Sequence, residues 1–142
     1  MARYATVKMY AMMTAYELDR KLRKMDKAIT VNSWSPGVVP TTQAAKDVNP
    51  VLKMIIANPA FVKFMGSHYS TEGEAAQALG GLMIDAKYSG VSGKYFDGFK
   101  EIPSSIESLD ENKARTVWEQ STKLAGLTRE SAQLSVPAHA RP

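Results

Sequence analysis

Tyr4-Ala5-Thr6-Val7-Lys8 sets a phenol and an ammonium four positions apart. On a helix, residues at that spacing share a face, with Cβ atoms about 5–6 Å apart. A phenol alone is protonated at neutral pH. An ammonium beside it stabilises the phenolate. Such a pair can exchange a proton with a carbonyl or alcohol oxygen, which is general acid–base chemistry. A second group, Pro36-Gly37-Val38-Val39 followed by Thr41, stands directly after a run rich in β-branched residues, Ala28 to Trp34. Ligands of open parallel sheets sit beyond the carboxyl ends of strands. A Pro-Gly turn at that place lets backbone approach a flat ring. Other chemistries are poorly supplied. There is no Cys, and the two His are His68 and His139. A disulfide framework, a thiolate zinc site, a Cys nucleophile and a histidine-based metal centre are thereby excluded. Glu72 and Glu74 fit helix capping better than paired-carboxylate chemistry. His68 reads as a surface loop residue.

The elements that must carry these groups follow from periodicity. Residues 3–25 predict a helix, with Tyr4, Val7, Ala11, Ala15, Leu18, Leu22 and Met25 on one stripe. Met9, Met12, Met13 and Tyr16 form a second stripe, so residues 4–18 are expected to be buried on several sides. From residue 19 the outer face turns charged and is expected to reach solvent. Residues 28–34 predict a short strand, stopped at Ser35-Pro36-Gly37. Pro50 and Pro59 break residues 43–66 into short helices, around 43–48, 50–57 and 59–65. Thr71 and Glu74 form a capping box that opens a helix over 72–86. Its expected inner face is Ala75, Ala78, Leu79, Leu82 and Met83, with Gly80-Gly81 marking a close packing contact. Gly90 and Gly93 predict a turn before a very short strand at 94–97. Ser108 and Glu111 suggest a second capping box, opening a helix over 109–125 that stops at Gly126. On that helix Ala114, Val117, Trp118, Ser121 and Leu124 share a face. Residues 128–142 lack periodicity and read as a loose tail.

The order of elements is that of an α/β fold with a parallel sheet. Only two strands are visible, and a two-stranded sheet is not independently stable. The expected fold is therefore an incomplete α/β domain, mostly helical, with few strands. With 142 residues, 44% hydrophobic and 23% charged, the composition is that of one globular domain. A pI near 9.3 raises the question of nucleic acid. The 18 basic residues are spread along the chain, though, and the cluster Arg20, Lys21, Arg23, Lys24 and Lys27 is interleaved with Asp19 and Asp26. It reads as a solvated helix face, and no nucleic-acid partner is expected. No apolar run approaches the ~20 residues of a membrane span. The first residues do not fit a secretory signal, so a cytoplasmic setting is expected.

Taken together, the Tyr-x-x-x-Lys helix, the strand Ile29-Thr30-Val31-Asn32, the Pro-Gly-x-x-x-Thr loop and Gly90-Val91-Ser92-Gly93-Lys94-Tyr95-Phe96 resemble the short-chain dehydrogenase/reductase family. The likeness is to its retinol-dehydrogenase-like and protochlorophyllide-reductase-like branch and covers residues 2 to about 127. The resemblance implies the C-terminal half of a Rossmann-type, doubly wound NAD(P)-binding domain over 1–127. It implies an oxidoreductase that moves a hydride between nicotinamide (NAD or NADP) and a small carbonyl or alcohol substrate. Tyr4 then matches the tyrosine that passes a proton to or from the substrate oxygen. Lys8 matches the lysine that favours the phenolate and hydrogen-bonds the nicotinamide ribose. Pro36, Gly37, Val38 and Val39 match the loop on the nicotinamide, with the Val39 backbone nearest its carboxamide, and Thr41 matches a residue bonding the cofactor's amide or phosphate side. Residues 43–66 match a substrate lid, and the helix over 3–25 matches a common dimer interface. The family's glycine-rich cofactor fingerprint, catalytic serine and central-strand asparagine have no counterpart in this sequence. The chain is accordingly expected to be a fragment, a truncated product or a degenerate copy, inactive alone. Its expected partners are a missing N-terminal half or a second copy. A non-catalytic piece that associates with a related subunit through its apolar first helix is the alternative.

Overall fold

The computed structural model describes residues 2–26, 28–39, 49–64 and 68–127. Thr41, the helix expected at 43–48, parts of the expected lid, and the tail at 128–142 lie outside the described residues. The chain divides into two compact units, Met1–Asn32 with Ser104–Pro142 and Ser33–Pro103.

The first unit is helical. Helix α1 runs Ala2–Lys24, with Lys21, Arg23 and Lys24 in its last turn, where cations complement the helix dipole. It ends in a turn where Asp26 takes a left-handed φ of 51°, a conformation Asp tolerates better than most residues. Helix α5, Glu111–Leu124, packs along α1, and a 3-10 turn at Ile106–Leu109 leads into it. The core of this unit is Met13, Tyr16, Leu22 and Ala114. The Met/Tyr stripe thus carries the packing. The other stripe departs from expectation at its amino end, where Tyr4 and Val7 are 65% and 64% exposed. The charged end departs too. Asp19 and Glu17 are buried, each held by an ion pair on its own helix: Glu17 to Arg20 at 2.9 Å, Asp19 to Arg23 at 2.9 Å.

A hydroxyl chain closes the first unit. Tyr16 donates to Ser104 Oγ at 2.9 Å, and Ser108 Oγ lies 2.8 Å from Ser104 Oγ and 2.6 Å from the Ser105 carbonyl. Ser108 is therefore a buried structural hydroxyl rather than the expected helix cap. The cap is Asp110, whose carboxylate accepts from the amides of Asn112 and Lys113 at 3.0 Å each. Proximity in sequence misled here, because Asp110 is itself a strong cap type one residue before the helix. The apolar face of α5 stops early. Ala114 is buried and Val117 and Trp118 half-buried, but Leu124 is 87% exposed. Gly126, at φ 66°, ends α5 as expected: its amide reaches the Lys123 carbonyl and the Leu127 amide reaches that of Thr122. This is the paired 5→2 and 6→1 closure that favours glycine.

The second unit holds the sheet. Strand β1, Ser33–Ser35, pairs parallel with β2, Tyr95–Asp97, in the register Ser33–Tyr95, Trp34–Phe96, Ser35–Asp97. A third strand, β3 at Lys100–Glu101, pairs antiparallel with β2. The fold is mostly helical with a small mixed sheet, consistent with part of an α/β Rossmann-like domain. Two strand expectations change. Residues 28–32 are not in the ladder, although they carry the β-branched run. β3 was invisible because it is two charged residues joined by a two-residue hairpin, with Gly98 at φ 59° in its first loop position.

Helices α2 (Pro50–Ile56) and α3 (Pro59–Phe64) each begin at a proline, as the sequence predicts. Helix α4, Glu72–Ile84, opens with the full Thr71/Glu74 capping box. Ala78 is its buried residue, while Leu79 and Met83 are exposed. The expected tight contact at Gly80-Gly81 is absent: a Cβ on Gly81 would meet only the Phe99 ring, at 3.6 Å, and one on Gly80 nothing within 4 Å. Phe96, the buried centre of the sheet, meets Tyr88 edge-on at 5.6 Å. No helix among the described residues is long and apolar enough to cross a membrane.

Replacing Asp110 by Ala leaves two amides without a partner and should cost about 1 kcal/mol in denaturant unfolding. Amide exchange at Asn112 and Lys113 should rise in that variant and stay unchanged in Ser108→Ala. Faster exchange in Ser108→Ala instead would restore Ser108 as the cap.

Candidate functional site

Two groups of the residues singled out by the sequence are assembled locally, each in its own unit. In the first unit, Tyr4 and Lys8 share a face of α1. Lys8 Nζ lies over the Tyr4 ring, 5.4 Å from its centroid. The contact is made to the ring face, a cation–π arrangement worth about 0.5–1 kcal/mol at an exposed position. The two side chains are neighbours, as the four-residue spacing requires, and the phenol stands in solvent.

In the second unit, the chain leaves β1 into the Pro36–Val39 bend. This bend sits at the carboxyl end of a strand with a parallel neighbour, the position where open sheets hold ligands. Pro36, Gly37 and Val38 are half-buried and Val39 is buried. A segment distant in sequence fixes the bend. Val38 donates its amide to the His68 carbonyl at 2.7 Å, and the Ser70 amide donates to the Val38 carbonyl at 3.2 Å. These bonds form a parallel bridge between Val38 and Tyr69. The buried Ser70 hydroxyl also donates to the Pro36 carbonyl. Within the bend, Ser35 Oγ accepts from the Gly37 amide at 3.1 Å. The Ser35 carbonyl accepts from Gly98, whose own carbonyl accepts from the Trp34 indole at 3.0 Å.

Gly37 is obligatory here for two separate reasons. Its φ is +73°, and a Cβ would stand 2.4 Å from the His68 carbonyl oxygen. The sequence singled out Gly37 as a turn former but gave no sign of its partner. His68, Tyr69 and Ser70 were missed as structural members of this site. Their signal is only weakly present: a short polar run between the α3 region and the Thr71 cap. Just beyond them, the backbone amide and hydroxyl of Thr71 both bond Glu74 and hold its carboxyl below the ordinary value of 4.5. Among the described residues, no cluster of His, Asp and Glu suited to a metal ion is present.

Pro36, Gly37, Val38 and Val39 are thus brought together with His68–Ser70, and Tyr4 with Lys8. The two groups belong to different units. Thr41 lies outside the described residues.

No family model matches the chain. Curated proteins do. Over 129 residues it is 33% identical to protochlorophyllide reductase A, chloroplastic, of Arabidopsis thaliana, covering 87% of this chain and 31% of that protein. It is 29% identical over 143 residues to human retinol dehydrogenase 13, covering 93% of this chain and 39% of that protein. With the protochlorophyllide reductase of Avena sativa it shares 32% over 129 residues, or 40% of that protein. The chain therefore spans between about a third and two-fifths of the length of these relatives.

Gly37 and Gly90 have nearly the same φ, +73° and +74°, but a Cβ on Gly90 meets nothing within 4 Å. Gly90→Ala should cost only the left-handed backbone penalty, roughly 1–2 kcal/mol. Gly37→Ala should cost more and should also release the Val38 amide to fast hydrogen exchange. Equal costs for the two, with Val38 still protected, would show that the His68 carbonyl does not confine the bend.

Proposed function

A homologue of short-chain dehydrogenases/reductases of the retinol dehydrogenase and protochlorophyllide reductase branch, this chain is, we propose, the C-terminal part of an NAD(P)-dependent oxidoreductase. The reading assigns residues 1–127 to that part of the domain, 43–66 to a substrate lid and 128–142 to a tail. Its reaction is hydride transfer between a nicotinamide and a small carbonyl or alcohol. The observation that carries it is the Tyr4–Lys8 pair, a phenol and an ammonium in contact on one helical turn.

The residues present fit one end of the cofactor. A half-buried bend of Pro36, Gly37 and Val38, free of charged side chains and fixed at the carboxyl end of a parallel strand, suits the flat face of a nicotinamide ring. Nothing in the sequence supplies the glycine-rich strand-to-helix turn that pyrophosphate takes at a helix N-terminus. When bound, the nicotinamide supplies or accepts the hydride. Tyr4 Oη gives its proton to the oxygen of a carbonyl being reduced, or takes one from an alcohol being oxidised. Lys8 keeps its ammonium over the Tyr4 ring. In this reading Lys8 also holds the cofactor ribose. Pro36 and Gly37 bound the ring, the Val39 backbone orients its carboxamide, and Thr41 bonds the amide or phosphate side.

Turnover of a panel of aldehydes and ketones, followed by nicotinamide absorbance with NADH and with NADPH, tests the reading. It should be run on the chain alone and with a cofactor-binding partner subunit added. Tyr4→Phe keeps the ring and removes the proton, and should lower kcat by ~10²–10⁴-fold. Unchanged turnover in Tyr4→Phe would sink the assignment of the proton to Tyr4.

A second reading rests on the exposed amino end of α1. Tyr4, Val7 and Tyr10 are all exposed. Tyr10 also borders an open groove of ≈ 430 Å³, together with Met9, Met13 and Val117. A helix face of this kind suits association with a second copy or a related subunit, with no catalysis by this chain. Sedimentation velocity of the chain should then show a dimer that Val7→Lys converts to monomer. A wild-type chain that stays monomeric at high concentration would rule out self-association through this face.

A further inference from the structure

His68 contributes two different things to the bend at the end of β1. Its carbonyl holds the Val38 amide, a task that any residue's backbone performs. Its side chain is a separate matter. The ring lies against Gly98, where a Cβ would stand 2.7 Å from Nε2 and 3.1 Å from Cδ2. Its Cβ is 2.9 Å from where a Cβ on Gly37 would be. Both neighbours are therefore glycines with left-handed φ, at +73° and +59°. A side chain on either would collide with His68. The imidazole is thus placed by the backbone of the bend on one side and the β2–β3 hairpin on the other.

The placement is not explained by burial or by internal bonding. His68 is exposed, and among the described residues its ring nitrogens take part in no hydrogen bond. The nearby Glu74 carboxylate interacts with His68 through charge alone; its hydrogen bonds come from the Thr71 amide and hydroxyl. An imidazole always carries at least one N–H donor. Here that donor group stands at the carboxyl edge of the parallel β1–β2 pair, on the bend read above as the nicotinamide contact. A donor held in place before a ligand arrives loses little freedom on binding.

We propose that His68 is a binding residue for the nicotinamide mononucleotide half of the cofactor, its imidazole N–H donating to an oxygen of that group. The inference rests on the oxidoreductase reading and adds a residue to it. The acceptor is either the carboxamide oxygen or the ribose phosphate, and the two are separable with ligands that differ by the phosphate.

The experiment is an NMR titration of the full chain with nicotinamide mononucleotide and, separately, with nicotinamide riboside. It follows the His68 ring protons and the backbone amides of Gly37 and Val38. The mononucleotide should move the ring signals together with the two amides. Movement by the riboside as well identifies the carboxamide; movement by the mononucleotide alone identifies the phosphate. His68→Ala should weaken mononucleotide binding about 2–10-fold, the worth of one hydrogen bond, and His68→Gln, which keeps a donor, should recover most of it. Circular dichroism and thermal unfolding of both variants check that the exposed substitution leaves the fold intact. If the amides move but the ring signals do not, or if His68→Ala binds as tightly as the parent, His68 has no such role and the oxidoreductase reading stands. If neither the ring nor the amides respond, the nicotinamide bend itself is wrong and the inference falls with it.

Discussion

The second unit depends on one pairing, the bridge that ties Val38 to Tyr69. The chain departs from β1 at Pro36 and returns at His68, about thirty residues later. Closing a loop of that size costs conformational entropy, though only slowly more as it lengthens. Two amide bonds, a buried hydroxyl and a glycine confined by a carbonyl oppose that cost at one place. A three-residue parallel ladder alone is a weak device for fixing a bend. With its exit and re-entry pinned together, the bend becomes a defined shape at the end of the strand. The site chemistry proposed for Pro36–Val39 needs that definition.

The first unit meets a different constraint. Its long helix has apolar residues around much of its circumference, yet among the described residues of this unit it packs only on α5 and the 3-10 turn before it. Burial is therefore concentrated on Met13, Tyr16 and Leu22. The adjacent carboxylates of Glu17 and Asp19 are drawn under cover with their own arginines. Pairs of this kind add little net stability when solvent reaches them. Their effect is to let the charged end of α1 lie against the protein without leaving a bare carboxylate. The hydroxyl chain from Tyr16 through Ser104 to Ser108 performs the same service for the turn preceding α5.

Much of this architecture was legible in the residues. The extent of α1, the proline starts of α2 and α3, the Thr71/Glu74 box and the Gly126 stop are all local signals, and local signals survive folding. The bend at Pro36-Gly37 and the contact of Tyr4 with Lys8 were readable for the same reason. The failures share a cause as well. The β-branched run at 28–32 favours a strand but finds no ladder partner, since pairing is decided by the other strand. β3 has no propensity of its own and exists because Gly98 turns the chain back onto β2. Ser108 looked like a cap because hydroxyls cap, but Asp110 stood closer and its carboxylate accepts two helix amides. The roles of His68 and Ser70 are long-range, and no spacing in one sequence encodes a partner thirty residues away.

Gly98 concentrates these long-range dependencies in one residue. Its amide serves the Ser35 carbonyl, its carbonyl serves the Trp34 indole, its Cα face seats the His68 ring, and its φ turns the hairpin. Changes at Trp34, at His68 and in the hairpin therefore share a common intermediary and should not combine independently. In an evolving lineage this makes the three positions epistatic: a substitution tolerated at one would set which residues the other two can accept.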